Sequence, residues 1–600
     1  MHAPTQKPVR RLLLLSVFII AAAVLNVLAW WLPSRPVQVF DGAAAGRSEP
    51  LQSVSFAPFR RGQGPLVKIF PTPEQVEEDL ASLQGIARAV RTYTSLEGLD
   101  IVPAVAGKYG LEVLHSAWLG RELDVNEKEI EALIEQANRH PDTIKRVIVG
   151  NEVLLRKDLT ADQLIGYIRR VKAAVKQPVS YADVWEFWLQ NPRLLAEVDF
   201  VTVHFLPYWE DLPVGVDHAM DHILWVYDEV RRQLPGKPVL IGEVGWPSEG
   251  RSRRDAVPSR IEAAKFIAAF QKLAHDKGLD YNLVEAFDQP WKVALEGTVG
   301  GAWGVLDEFR DPKFPASGRV SNLPYWPLFA GMGLLIALIL MVLHAQQLSA
   351  LAPLPMLASV LFAQMIGGVL GATIEHGLEH NYSLLRFVEF IFMTALQTAF
   401  ALLLFQELLS RASGREPPTV PLRPLAFSLG ELRRHGAACL PFRSRPLSKQ
   451  GADHDALRRL RLGEWLFAGF ALLALYQCIM LAVAGRYRDF PIDYFLLPIL
   501  GLLVLQLIKV ALGVGTGTIF PALGTVFAAV RGRAPGRLTG ETVLGFLLLA
   551  VPVVVLVVEK ISNREAIYWC LTAATYALPL LGNLMIAARD KGIALSAPSR

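Results

Sequence analysis

Val147-Ile148-Val149-Gly150-Asn151-Glu152 and Val239-Leu240-Ile241-Gly242-Glu243-Val244-Gly245-Trp246-Pro247-Ser248 share one plan: a short apolar run reaches a glycine and then presents a carboxylate. Such a run reads as a strand covered on both faces, the condition of a parallel sheet. Working outward, eight runs can be read: Val54 to Phe59, Ala87 to Thr94, Leu111 to Trp118, Val147 to Val153, Val179 to Val184, Phe200 to Phe205, Val239 to Val244 and Tyr281 to Phe287. Between them lie amphipathic stretches, Pro73 to Leu83, Asn126 to Asn138, Thr160 to Val175, His218 to Gln233 and Ser259 to Lys277, each long enough to be the crossover of a βαβ unit. The pattern predicts an α/β fold, a (β/α)8 TIM barrel spanning residues 35–322. A doubly wound open sheet competes, but its Gly-rich phosphate turn is missing after the first strand. In the barrel, Glu152 falls at the end of the fourth strand and Glu243 at the end of the seventh, across one mouth.

The rest of the chain has a different texture. At 600 residues it is too long for one ordinary domain, and 52% hydrophobic against 19% charged residues excludes a wholly soluble protein. A formal charge of +4 is too small for the field that nucleic-acid binding needs. Cys439, Cys478 and Cys570 all lie in the second half, which excludes a disulfide scaffold and leaves the barrel without a thiol. Lys7, Arg10 and Arg11 precede the apolar run Leu12 to Leu32, long enough to cross about 30 Å of hydrocarbon. Residues 1–34 therefore read as a signal anchor with its N-terminus in the cytoplasm, and the barrel that follows faces outward.

Residues 323–600 read as an all-α membrane domain with seven further spans: Trp326 to Leu343, Met356 to Thr373, Phe387 to Leu409, Leu466 to Ala484, Phe495 to Leu512, Val543 to Val558 and Ile567 to Ile586. The count places the linker 410–464, with Arg433, Arg434, Arg443 and Arg445, on the cytoplasmic side, as the positive-inside rule requires, and the C-terminus with it. Thr516 to Val530 is short and Gly-rich, the pattern of a re-entrant segment.

A carboxylate at a strand end is most often a loop charge. Two in phase on one barrel mouth suit glycosidic bond chemistry, in which one carboxylic acid protonates the leaving oxygen and the other attacks the anomeric carbon. Gly150, Gly242 and Gly245 permit close backbone approach, and Trp246 offers a flat face to a sugar ring. Nothing in this chemistry needs a cofactor or a metal. Glu375, His376, Glu379 and His380 have i, i+4 spacing at the outer end of a span, but no third strong ligand lies near, and they read as a solvated interface.

Val149-Gly150-Asn151-Glu152-Val153 and Glu243-Val244-Gly245-Trp246-Pro247-Ser248 resemble the two signature strings of glycoside hydrolase family 17, the retaining β-1,3-glucanases and glucanosyltransferases. The resemblance covers roughly residues 45 to 310. It implies Glu152 as general acid/base, Glu243 as nucleophile and Asn151 as donor to the sugar 2-hydroxyl. It extends to Arg91 and Tyr93, to Tyr208 and Trp209, to Asp288, Trp291 and Lys292, and to Trp303. Departures from the plant pattern are Val244 in place of Ser or Thr, His204 and Leu206 in place of Asn and Tyr, and Gln289 in place of Glu. The long membrane region is similar to that of bacterial inner-membrane proteins of β-(1,3)/(1,6)-glucan synthesis or modification. That likeness implies a periplasmic barrel and, as partners, β-glucan, the lipid bilayer and a glucan synthase or export machinery.

Hydrolysis and transfer share a covalent glucosyl-enzyme and differ in whether water or a sugar hydroxyl reaches it. Trp185, Trp188, Tyr208, Trp209 and Trp291 follow strands and can hold an acceptor, which favours transfer; about half of such rim aromatics only fill the barrel end. His204 stands where it can reach the sugar, or is a buried hydrogen-bonded residue like His115. A polymerising synthase would need a cytoplasmic nucleotide-sugar domain, and Asp453-His454-Asp455 in the basic linker has no room for one. A glucan-binding protein with a decayed barrel is opposed by the intact pair.

Overall fold

All eight apolar runs form strands in a computed structural model of the chain, which describes residues 6–39, 50–315, 318–379, 383–413, 449–512 and 536–581. They are β1 (Val54–Ser55), β2 (Ala89–Arg91), β3 (Glu112–Ala117), β4 (Ile144–Asn151), β5 (Val179–Val184), β6 (Val201–Phe205), β7 (Val239–Val244) and β8 (Asp280–Leu283). Every neighbouring pair is parallel, and β1 closes on β8 through Val54 and Leu283, giving a closed barrel. β1, β2 and β8 are well short of the predicted runs, because the chain leaves the ladder early. Beyond Leu283 the backbone turns to bond Val244 and Trp303, and the rest of that apolar run becomes the wall of a loop.

The barrel is closed at one level by an apolar plug. Ala89, Leu114, Ile148, Ala182, Phe200 and Leu240 form a separate buried cluster, whereas the larger core lies between strands and helices. Side chains alternate along a strand, so residues two further on from the plug also point inward. That rule puts Arg91, Ser116, Gly150 and Gly242 in the next layer, and Arg91 indeed donates to the Gly242 carbonyl at 2.7 Å. The crossover helices start on local signals. Thr72 and Thr160 each cap a helix through a reciprocal box, with Gln75 and Gln163, and Ser259 caps Arg260–Lys277.

Five described helices are long and apolar enough to cross a membrane, and four of these contain predicted spans of the second half. They are α1 (Gln6–Trp31), α2 (Trp326–Leu343), α3 (Pro353–Glu379), α4 (Leu384–Ser413) and α5 (Lys449–Ala484). α6 (Ile492–Ala511), α7 (Gly536–Glu559) and α8 (Arg564–Thr575) complete the bundle. α6 and α7 include shorter apolar stretches, Ile492–Leu505 and Val543–Glu559, over two of the remaining predicted spans, and α8 covers the start of the last. The segment expected to be re-entrant lies outside the described residues. Residues 449–464, read as linker, are instead the start of α5, since Lys449 onward is one uninterrupted helix.

The loops at the C-terminal ends of β6, β7 and β8 meet the helical bundle. Arg251, itself buried, pairs with Glu559 and donates to the Arg488 carbonyl at 3.1 Å. Ser252 Oγ donates to Glu565 at 2.9 Å, and Thr298 Oγ1 to Asp489 at 2.8 Å. The barrel mouth is thus fastened to the chain around 485–490 and 559–565.

Candidate active site

Strict alternation from Leu240 and Gly242 would send Glu243 to the outside of the barrel. The pairing shifts register between Val203 and His204 on the β6–β7 side and between Ile241 and Val244 on the β7–β8 side. A third shift, between Ile148 and Asn151, lies beneath Glu152. Such irregularities re-aim a side chain at a barrel rim. Glu152 itself sits in the left-handed region, with φ of 52°, a strained conformation for a non-glycine residue. The outcome is convergence: one carboxylate oxygen of Glu152, one of Glu243 and a ring nitrogen of His204 all lie within 4.8 Å of one another.

Each carboxylate has a fixed set of partners. Glu243 Oε1 accepts from the Tyr93 hydroxyl at 2.9 Å and lies 3.4 Å from Arg91 Nη1. Arg91 is fully buried and its other terminal nitrogen donates to Asn151 Oδ1 at 2.5 Å. Tyr93 is held in turn by Ser55, at 2.7 Å, and Ser55 by Asn282, at 2.8 Å. Glu152 Oε1 lies 2.9 Å from His204 Nδ1, and Arg156 bonds the Asn151 carbonyl just before it. Burial pushes the Glu152 carboxyl up, but the hydrogen bond and charge of His204, helped by Arg156 and Arg91, outweigh it and leave the group below its ordinary value. Gly242 is required by space: a Cβ there would lie 2.5 Å from the Thr202 methyl and 3.2 Å from the His204 ring.

The other residues singled out from sequence divide into two groups. Trp185, Trp209, Trp291 and Lys292 line the rim and are half-buried. Trp246 does not offer its face: it is 2% exposed and stacked on Phe266 at 5.6 Å, because the loop after β7 folds it back under α-helical cover. Tyr208 and Trp303 are likewise buried, 6.2 Å apart edge to face, and shape the floor beneath Trp209. Asp288 is held by Lys313 at 2.7 Å and accepts from the Gly304 amide, so it braces a loop. His204 is 1% exposed and lies between the carboxylates. Trp188 is buried with its indole on the Thr202 carbonyl, and His115 is buried between Thr92 and Ser95.

Sequence reasoning passed over several groups. Lys292 pairs at 2.8 Å with Glu285, a buried carboxyl pushed up to about 7 by its burial. The Glu296 carboxyl is raised by its burial, against the opposing charge of Lys292, and the charges of Glu152 and Glu243 add to the rise. Trp118, 40% exposed at the end of β3, has the Arg156 guanidinium 4.2 Å above its ring. Its position as the last residue of a predicted strand was the available signal. Glu152, His204 and Glu243 are also the described cluster with ligand atoms close enough for a metal ion. The buried Arg91 guanidinium already supplies positive charge there and would repel a cation. Of the sequence candidates at the outer helix end, His376 pairs with Asp493 of α6 at 3.4 Å, and His380 lies outside the described residues.

Residues 53–304 match the family described as the BtgE/BtgC glycoside hydrolase domain. An Aspergillus clavatus protein named probable glucan endo-1,3-beta-glucosidase btgC is 30% identical over 278 residues, 41% of this chain and 40% of the relative. The chain thus spans well under half the length of that relative. A glucan 1,3-beta-glucosidase of Arthroderma benhamiae is 27% identical over 264 residues, 41% of this chain and 85% of the relative. Among solved structures, the glycoside hydrolase family 17 β-1,3-glucanosyltransferase of Rhizomucor miehei is 27% identical. The match covers 44% of this chain and 96% of that one, with a TM-score of 0.40.

Proposed function

We propose that this family-17-like glycoside hydrolase barrel is a retaining glucanosyltransferase acting on β-1,3-linked glucan, with Glu243 as nucleophile and Glu152 as general acid/base. The observation that carries the reading is the spacing of the pair. Carboxylates about 5 to 5.5 Å apart act by double displacement, whereas those that must admit a water between them stand about 6.5 to 9.5 Å apart. One oxygen of Glu152 and one of Glu243 lie within 4.8 Å of each other, which supports the first class. In the first step a Glu243 oxygen bonds the anomeric carbon, the glycosidic C–O bond breaks, and the leaving oxygen takes the proton of Glu152. In the second, Glu152 takes the proton of an acceptor hydroxyl, whose oxygen bonds the anomeric carbon as the Glu243 ester bond breaks.

The neighbours support these roles. Arg91 and Tyr93 orient Glu243 and stabilise its negative charge before attack, and both bonds relax as the ester forms. The Arg91 bond to Asn151 Oδ1 turns the amide nitrogen of Asn151 toward the mouth as a donor for the sugar 2-hydroxyl. His204 Nδ1, 2.9 Å from Glu152 Oε1, orients the carboxyl that gives up its proton in the acid step and recovers one in the base step.

Transfer over hydrolysis rests on the rim. Half-buried Trp185, Trp209 and Trp291 can seat an acceptor sugar, and the bundle against the mouth limits access of bulk water. Products joined by β-(1,3) or β-(1,6) bonds both fit this geometry. The chain is placed in an inner membrane with the barrel on the periplasmic side. The alternation of spans puts residues 485–490 and 559–565 outside, and these are the segments that touch the barrel. Its partners are then β-glucan, lipid and a synthase or exporter of the polymer. The test uses the full-length protein in lipid nanodiscs, since the mouth is built partly on the bundle. β-1,3-oligosaccharides are supplied and products sized and linkage-typed. Products longer than the substrate are expected; shorter ones alone would replace transfer by hydrolysis, and none would remove the enzymatic reading.

A further inference from the structure

The chain between α5 and α6, residues 485–489, is held against the rim by several bonds. Arg486 Nη2 donates to the Trp209 carbonyl at 3.1 Å, the Arg488 carbonyl accepts from Arg251, and Asp489 accepts from Thr298. The approach is closest at Gly297. Its φ is 73°, and a Cβ there would lie 2.6 Å from the Tyr487 carbonyl, so only glycine admits the strand of chain at this distance. While its backbone is clamped in this way, the Tyr487 side chain stays open. The residue is 47% exposed, with its ring 5.6 Å from that of Trp209 at 58°. The Arg486 guanidinium covers both rings, 5.8 and 5.9 Å from their centroids. The Tyr487 backbone lies against Gly297, on the loop after β8 that also carries Trp291 and Lys292 at the rim.

We infer that Tyr487, contributed by the membrane domain from outside the matched hydrolase segment, is a sugar-binding residue that extends the glucan groove as the second wall of an aromatic corner with Trp209. Two aromatic faces set at an angle on a rigid mount, one from each domain, suit the apolar faces of successive sugar units of a β-glucan chain. A tyrosine at a helix end is often a lipid-interface anchor. Here the bonds to three rim loops turn it toward the barrel. The groove would then run along the seam between barrel and bundle, parallel to the membrane surface, so that the membrane domain sets chain-length preference. This rests on the glucan-active reading above.

The test is KM as a function of chain length, measured on full-length protein in nanodiscs with β-1,3-glucose oligomers of increasing length. Tyr487→Ala is expected to raise KM for the longest oligomers by about two- to tenfold, the range of one aromatic contact. A smaller effect is expected on the shortest substrates, and Tyr487→Phe should restore the parental ratio of long to short. Tyr487→Leu, which keeps apolar bulk without a planar face, serves if the alanine variant does not fold, and should behave as the alanine variant. A parental ratio in either ring-less variant, at a parental thermal midpoint, overturns the assignment of Tyr487 and leaves the glucan-active reading standing. A parent protein that turns over no oligomer overturns that reading and the corner with it.

Discussion

Replacing Arg91 tests the core of the site, because one buried guanidinium holds three groups on two other strands. Arg91→Met removes the 2.7 Å bond to the Gly242 carbonyl, the 2.5 Å bond to Asn151 and the positive charge 3.4 Å from Glu243. The Gly242 carbonyl keeps Asn282 at 3.0 Å, so it is not orphaned. Glu243 keeps Tyr93 at 2.9 Å and has an 11% exposed side chain, so some solvent reaches it. Breaking a fully buried pair costs about 3–5 kcal/mol. The retained partners place this site near the lower end, about 3 kcal/mol, a fall of roughly 6 to 12 °C in the thermal midpoint of a barrel this size. Activity should fall further than stability implies, by about a hundredfold in kcat/KM, since both Asn151 and Glu243 lose their orientation. Arg91→Lys keeps the charge but not the planar fork, and should recover most of the stability and little of the activity. Differential scanning fluorimetry and oligosaccharide kinetics read the two quantities. A methionine variant with parental midpoint and kcat/KM would refute the view that this cation organises the pair.

Glu243→Gln should abolish the covalent intermediate, seen by intact-mass spectrometry with a slow fluoro-sugar donor, whereas Glu152→Gln should accumulate it from activated aryl donors and recover turnover with added azide. His204→Gln removes the chief group that holds the Glu152 carboxyl below its ordinary value, and burial, then opposed only by Arg156 and Arg91, raises it. The acid form persists to higher pH, so the alkaline limb of the kcat/KM profile should move upward; an unmoved or lowered limb counts against this role of His204. Gly242→Ala forces a Cβ to 2.5 Å from the Thr202 methyl and should destabilise the barrel by about 1–3 kcal/mol in denaturant unfolding. Thr202→Ser in the same chain deletes that methyl while keeping the 2.8 Å bond to Ser180, and should return part of the loss.

The barrel was legible because parallel strands covered on both faces are largely apolar, and runs such as Val147-Ile148-Val149 and Val239-Leu240-Ile241 recur between amphipathic helical stretches. The carboxylates were legible for a related reason: a glycine and an acid at the end of a buried strand have no place in the core and must belong to the mouth. What could not be read is set by register. Period-two alternation gives Arg91 and Gly242 an inward address, yet the inward aim of Glu243 depends on pairing shifts at Val203/His204 and Ile241/Val244 that leave no mark in hydrophobicity. For the same reason Trp246, three residues past Glu243, was expected at the sugar and is instead packed on Phe266. Asn282 and Ser55 passed for ordinary strand polar residues, although they are the support on which Tyr93 rests.

The contact between the two halves was out of reach of any strand or span count, since it is made by loops whose sequences carry no periodicity. Gly485-Arg486-Tyr487-Arg488-Asp489 reads alone as a short polar turn between two helices. Its meaning comes from what it meets: Arg251 is buried beneath Arg488, and that arginine stands eight residues after Glu243 on the loop that leaves β7. A buried cation on the loop after β7, paired with Glu559 of the bundle, ties the strand that carries Glu243 to the helices. The two halves therefore cannot be treated as an enzyme and an inert anchor. The helix ends around 485–490 and 559–565 bond the loops after β6, β7 and β8, the same loops that carry Trp209 and Trp291 at the rim.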